Sequence, residues 1–112
     1  HYMLPERRGP FSKLDGKYGR DAMEMFMLEL RKRKTVPRQY EVNVYGGGNM
    51  FDSSNRMDVG QRNIEMARTM LNHNGFSVVD DHVGQFGHRK VAFDVWSGEV
   101  RLIHVDHRKS VI

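Results

Sequence analysis

The sequence predicts an α+β domain in which helices and strands form separate layers. Two segments, 19–34 and 58–74, repeat apolar residues at the three- and four-residue spacing of an amphipathic helix. One strand-like segment lies between them, and several more follow the second helix in succession. The chain has 112 residues, of which 38% are hydrophobic and 29% are charged, which is typical of one small globular domain. This order of elements favours a layered α+β architecture.

The first half is predicted to contain a loop, a helix and a strand. Leu4 precedes Pro5, which favours extended backbone, so we expect residues 1–4 to be the end of a strand. Residues 5–19 hold two prolines and three glycines and predict an irregular loop. A strand of β-branched and aromatic residues is predicted over 40–45. The intervening helix has an apolar stripe made of Ala22, Met23, Phe26, Met27 and Leu30.

Positive charge is concentrated before residue 41. Residues 1–40 hold ten Lys and Arg against five Asp and Glu, whereas the remainder holds eight against nine. The densest run, 31–34, ends the first predicted helix, where basic side chains complement the helix dipole. We interpret it as a solvated helix end, with nucleic-acid binding as the alternative.

The second half begins with the clearest helix signal in the chain. Asp58 is the predicted N-cap and Gln61 completes an acidic capping box, while Asn74-Gly75 ends the helix. A strand is then predicted over 76–79, followed by a polar loop over 80–89. Residues 91–95 and 100–105 are predicted to pair as a hairpin around the turn at 96–98.

Spacing and composition disfavour several kinds of site. The triple glycine lacks the Lys-Ser/Thr ending of a phosphate loop and the spacing of a dinucleotide fingerprint. His104 and Asp106 would share a strand face, yet no helical histidine pair or thiol accompanies them to indicate zinc. The chain has no cysteine, which excludes disulfides and any thiol nucleophile among these residues.

Five motifs follow one another over residues 1 to about 105. They are His1-Tyr2-Met3-Leu4-Pro5, Tyr18 with Asp21-Ala22-Met23, the block from Val44 to Phe51, Val59-Gly60-Gln61-Arg62-Asn63, and the glycine-containing residues 80–98. Their order resembles the chemoreceptor glutamine deamidase family, CheD. The chain departs from the family pattern at Gly48, where alanine is usual.

The resemblance implies one deamidase-like domain over residues 1–112. Its implied fold is a layered α/β/β sandwich, similar to the cytotoxic necrotising factor-like cysteine hydrolase fold. Its implied activity is protein-glutamine deamidation, in which a Cys thiolate attacks a receptor glutamine amide and water hydrolyses the thioester. His1 matches the family's catalytic histidine, and imidazole suits the required proton transfers. Neither a cofactor nor a metal is implied.

The remaining matched residues carry less specific expectations. The stretch of Gly46, Gly47, Gly48 and Asn49 is expected to form a substrate or oxyanion region. Arg62 and Asn63 are expected to be structural and to tie the second helix to the glycine loop. Because the family's nucleophile precedes its histidine, we expect an N-terminal segment with a cysteine upstream of His1, and no activity from the 112 residues alone.

The resemblance also implies partners. The substrate is the cytoplasmic domain of a chemoreceptor, which places the protein in the cytoplasm without membrane insertion. An alternative is a non-catalytic adaptor that binds a CheC-type phosphatase. Nucleic-acid binding lacks a recognised motif.

Overall fold

The computed structural model describes residues 1–9, 13–49, 58–106 and 108. Within them the predicted α+β class is confirmed by two helices and four strands. The helices are α1 (Gly19–Lys32) and α2 (Val59–His73), and a short 3₁₀ turn spans Pro37–Gln39. The strands are β1 (Val42–Gly46), β2 (Val78–Val83), β3 (His88–Phe93) and β4 (Val100–Val105). No helix in this part of the chain is long and apolar enough to cross a membrane.

The strands pair in two different ways. β1 lies parallel to β2, with Val44 opposite Asp81, and α2 provides the crossover that a parallel pair requires. β3 and β4 form the predicted antiparallel hairpin, in which Val91 lies opposite Leu102. The β1–β2 pair and the hairpin meet because β1 also contacts β3.

The predicted polar loop over 80–89 is wrong at both ends. β2 continues to Val83 and β3 already begins at His88, so only residues 84–87 connect them. Asp80 and Asp81 are poor strand formers, but they are exposed, and pairing with β1 satisfies their backbone groups. Long-range pairing therefore decides the backbone conformation here.

The small core lies between the two helices and β1. Met23, Ala67 and Leu71 are buried together, and Val44 is among the partly buried residues packed on them. Phe26 was predicted in the same stripe but is 62% exposed, because α1 turns the side bearing Met23 toward this core.

Helix ends follow the local signals closely. The Asp58 carboxylate accepts a hydrogen bond from the Gln61 N–H at 2.8 Å, so the predicted N-cap is confirmed. At the other end Gly75 adopts a φ of 84°, which suits glycine beyond a helix. α1 ends at Lys32, two residues earlier than predicted, and the basic residues 31–34 are exposed there.

The expected strand end at residues 1–4 is reduced to a single bridge. Leu4 pairs in parallel with Tyr18, and no longer ladder forms there within the described residues.

We predict that Asp58→Ala lowers the free energy of unfolding by about 1 kcal/mol, because the Gln61 N–H loses its acceptor. Asp58→Asn is the matched control, since asparagine caps helices about as well, and it should stay near the wild type. Urea denaturation measures the free energy of unfolding of both variants. Equal stability of Asp58→Ala and the wild type would contradict this account of the helix start.

Candidate active site

The segment that carries His1 is fastened to the start of α1. Both Met3 and Leu4 donate their backbone N–H groups to the Lys17 carbonyl, at 2.7 and 3.0 Å. The Leu4 carbonyl in turn accepts from the N–H of Gly19, the first residue of α1, at 2.7 Å. His1 itself is exposed, two residues before Met3. The backbone that follows the histidine is therefore held in a defined position.

A second set of bonds ties the same segment to α2. The Tyr2 hydroxyl donates to the Asn63 carbonyl, and the Asn63 side-chain amide donates to the Met3 carbonyl at 2.9 Å. Burial raises the pKa of the Tyr2 hydroxyl, which keeps it protonated as a donor. We expected Asn63 to contact the glycine loop, but its bonds reach the N-terminal segment instead.

An ion pair joins the segment that follows Pro5 to the first turn of α1. Asp21, only 5% exposed, accepts from the Arg7 guanidinium at 2.6 Å and from the Asp15 N–H at 3.0 Å. The hydrogen bond from Arg7 is the main reason that the Asp21 pKa lies below its ordinary value. Asp21 was predicted as part of a family motif, and its contact with Arg7 was not predicted because nothing local in the sequence indicates it.

The predicted substrate region, Gly46–Asn49, is called the glycine block below. It leaves β1 through left-handed backbone, with φ of 122° at Gly46 and 68° at Gly47. It then passes so close to α2 that a Cβ on Gly60 would lie 2.5 Å from the Gly47 carbonyl oxygen. Gly60 and Ile64 are thus residues of the second helix that contact the block.

The far end of the block packs on the connection between β2 and β3. Asn49 donates its N–H to the Gln85 carbonyl and accepts from the Gly87 N–H, both at 2.8 Å. A Cβ on Gly48 would collide with the Gly87 carbonyl, so the family's usual alanine would not fit here without a shift. A Cβ on Gly87 would collide with the Val105 carbonyl at the end of β4.

Arg89 holds the same strand ends together. Its guanidinium donates to the carbonyls of Gly46 at 3.3 Å and Gly84 at 2.8 Å, and its Nε donates to His82 Nδ1 at 2.8 Å. Burial lowers the pKa of Arg89. Since His82 Nδ1 accepts, the proton of the neutral ring is on Nε2. This contact was not predicted, because β3 supplies Arg89 and β2 supplies His82.

His104, which was considered as a metal ligand, makes other contacts. The rings of His82 and His104 meet edge to face with centroids 5.3 Å apart, and His104 Nε2 donates to the Phe86 carbonyl at 2.7 Å. Among the described residues, no group of three His, Cys, Asp or Glu side chains is arranged to hold a metal ion.

The first turns of α2 connect the two candidate regions. Gly60 contacts the glycine block, and Asn63, three residues later, contacts the segment after His1. Three residues advance a helix by about 4.5 Å along its axis. The arrangement can thus fix the segment after His1 and a backbone-lined surface relative to one helix.

Comparison with known proteins identifies a matching protein family. A family model described as CheD chemotactic sensory transduction matches residues 3–104. The match includes the glycine block, Arg62 and Asn63, and it begins two residues after His1.

Curated relatives match the same part of the chain. The probable chemoreceptor glutamine deamidase CheD 3 of Dechloromonas aromatica is 42% identical over 105 residues, covering 91% of this chain and 62% of that protein. The probable chemoreceptor glutamine deamidase CheD of Pseudomonas syringae pv. tomato is 35% identical over 108 residues, covering 93% and 64%. A third, CheD 2 of Albidiferax ferrireducens, is 37% identical, covering 89% and 61%. The chain therefore spans less than two thirds of each relative's length.

We predict that Gly60→Ala destabilises the fold by about 1–3 kcal/mol, because the methyl group collides with Gly47. Helix propensity alone predicts the opposite sign, since alanine favours a helix by about 1 kcal/mol over glycine. Gly16→Ala is the control, because among the described residues its methyl would meet only the Met25 sulfur, at 3.8 Å. Thermal denaturation measures the stability of both variants. A Gly60→Ala protein more stable than the wild type would contradict the close approach of Gly60 to Gly47.

The Arg7–Asp21 pair predicts acid sensitivity. The Asp21 pKa is lowered on folding, so its contribution is present above the unfolded pKa of about 3.9 and disappears as the pH falls through the folded pKa. Asp21→Asn should therefore be less stable than the wild type near neutral pH, with the difference shrinking below about pH 4. Arg7→Gln should likewise be less stable than the wild type near neutral pH, and this difference in stability should also shrink below about pH 4. Thermal midpoints measured against pH test this, and parallel curves for Asp21→Asn and the wild type would contradict it.

Proposed function

The chain belongs to the CheD family, and on that premise we propose that the full-length protein is a chemoreceptor glutamine deamidase. The observation that carries the proposal is 42% identity over 91% of the chain to a relative named for that activity. The substrate would be the cytoplasmic domain of a chemoreceptor, and the reaction would convert receptor glutamine to glutamate in the cytoplasm. No cofactor takes part in this chemistry.

In this proposal His1 is the catalytic acid and base. The imidazole takes the proton of a cysteine thiol, and the thiolate attacks the carbonyl carbon of the glutamine side chain. The imidazolium then protonates the departing nitrogen, which leaves as ammonia. Water, deprotonated by the same ring, hydrolyses the thioester to give glutamate and the free thiol. The bonds of Met3 and Leu4 to Lys17 support the role, because proton transfer requires a positioned ring.

The nucleophile in this proposal comes from residues outside the 112. The chain contains no cysteine, and it spans 62% of the relative from Dechloromonas aromatica. We place the cysteine upstream of His1, as the family resemblance implies. The 112 residues alone are therefore inactive in this account.

The glycine block is proposed as the wall against which the substrate amide lies. It presents backbone with no side chain at three successive positions, and close packing on Gly60 and Gly87 keeps that backbone fixed. Fixed backbone N–H groups are suited to stabilise negative charge on a tetrahedral intermediate. Asn63 and Gly60 act as supports in this scheme, since each contacts one of the two regions.

The finer fold assignment is also a proposal. A layered α/β/β sandwich, similar to the cytotoxic necrotising factor-like cysteine hydrolase fold, requires another layer on the β3–β4 hairpin. Val91 and Phe93 share one hairpin face, and they are 46% and 62% exposed. An apolar face of this kind supports packing against further residues of the full-length protein.

We predict that His1→Ala in the full-length protein lowers receptor deamidation by at least about 10²-fold, the usual scale for losing a general acid–base group. His73→Gln is the matched control, since His73 is an exposed histidine at the end of α2, and it should retain full activity. The readout is conversion of glutamine to glutamate in a purified receptor cytoplasmic fragment, followed by mass spectrometry.

Two results would reject the assignment. Full activity of His1→Ala would make the histidine a bystander, and deamidation by the 112-residue chain would require a nucleophile other than a thiol. A full-length protein that is inactive but binds a CheC-type phosphatase would instead establish the adaptor alternative.

A further inference from the structure

A groove lies between the N-terminal segment, the start of α1 and one face of α2. Its volume is about 440 Å³, within the range of about 300–1,000 Å³ that is common for binding pockets. Four arginines and two methionines are among the residues that line it, namely Arg7, Arg8, Arg20, Arg62, Met66 and Met70.

The groove carries more positive than negative side chains. Two of its four arginines are paired within the fold, Arg7 with Asp21 at 2.6 Å and Arg20 with Glu6 at 2.9 Å. The side chains of Arg8 and Arg62 are exposed and make no ion pair or hydrogen bond within the described residues. These two guanidiniums are available to a ligand.

Arg62 has a side chain that makes no hydrogen bond or ion pair within the described residues. Its neighbours in the Val59–Asn63 motif have internal contacts, since Gly60 packs on the glycine block and Asn63 bonds to Met3. Arg62 lines the groove instead. An arginine fork is suited to bidentate hydrogen bonds with a carboxylate.

The other lining residues restrict the kind of ligand. Met66 and Met70, both partly buried, add unbranched apolar surface that adapts to different side chains. Among the described residues no aromatic side chain lines the groove, so this lining offers no platform on which nucleic-acid bases would stack. Arginine beside methionine fits a ligand that combines carboxylates with an apolar group.

We propose that this groove binds an acidic segment of a partner protein. Arg62 and Arg8 pair with two of its carboxylates, and the methionines receive an apolar side chain between them. This proposal goes beyond the deamidase function and does not depend on it, because binding can be measured without turnover.

The test uses the full-length protein and a fluorescein-labelled peptide in which leucines are flanked by glutamates. Fluorescence anisotropy gives the Kd of the wild type, Arg62→Gln, Arg8→Gln and the control Arg68→Gln. Arg68 is an exposed arginine of α2 outside the groove lining. Arg68→Gln removes one positive charge, as the two groove variants do, but leaves the groove unchanged. A second peptide has glutamine in place of every glutamate, and thermal denaturation checks that each variant is folded.

We expect Arg62→Gln and Arg8→Gln to weaken binding of the acidic peptide about fivefold or more, as the loss of a charge-assisted contact would. Arg68→Gln should change Kd by less than about twofold, and the glutamine peptide should bind poorly even to the wild type. Equal effects of Arg62→Gln and Arg68→Gln would overturn the proposal, as would equal affinity for the two peptides. Duplex DNA that binds more tightly than the acidic peptide and is released by Arg62→Gln would also overturn it.

Discussion

The close approach of Gly60 to Gly47 is the constraint on which the arrangement of this domain depends. With no side chain on either residue, the first turn of α2 lies directly against the backbone that leaves β1. The contact continues on the other side of the block, where Gly48 lies against Gly87 and Gly87 lies against Val105. One chain of backbone contacts therefore joins the crossover helix, the parallel strands and the hairpin. A methyl group at any of these glycines would separate two of those elements.

The opening turns of α2 serve three functions with neighbouring residues. Gly60 fixes the glycine block, Asn63 fixes the segment after His1, and Arg62 faces the groove. Since a helix is rigid over so short a distance, the candidate catalytic histidine and the candidate substrate wall share one support. The residues of this motif are neighbours in sequence, although they contact different parts of the molecule.

Local signals in the sequence identified most elements, and long-range contacts determined what those signals missed. The Asp58 cap and the hairpin turn could be predicted because each depends on neighbouring residues. The extension of β2 through Asp80 and Asp81 could not, because these polar residues pair with Asn43 and Val44 of β1, almost forty positions earlier in the chain. The same holds for the candidate site, where Asn63 reaches Met3 and Arg89 reaches His82 across separate elements. The role expected of His1 came from resemblance to a family and not from spacing.

The most direct test of the central claim is the reactivity of the full-length protein's thiol toward iodoacetamide as a function of pH. In the proposed mechanism an upstream cysteine is paired with His1, whose ring accepts the thiol proton. It predicts that the wild-type thiol is alkylated rapidly at neutral pH, because thiolate is the reactive form, and that His1→Ala shifts this reactivity to alkaline pH. Identical pH profiles for the two proteins would contradict the pairing.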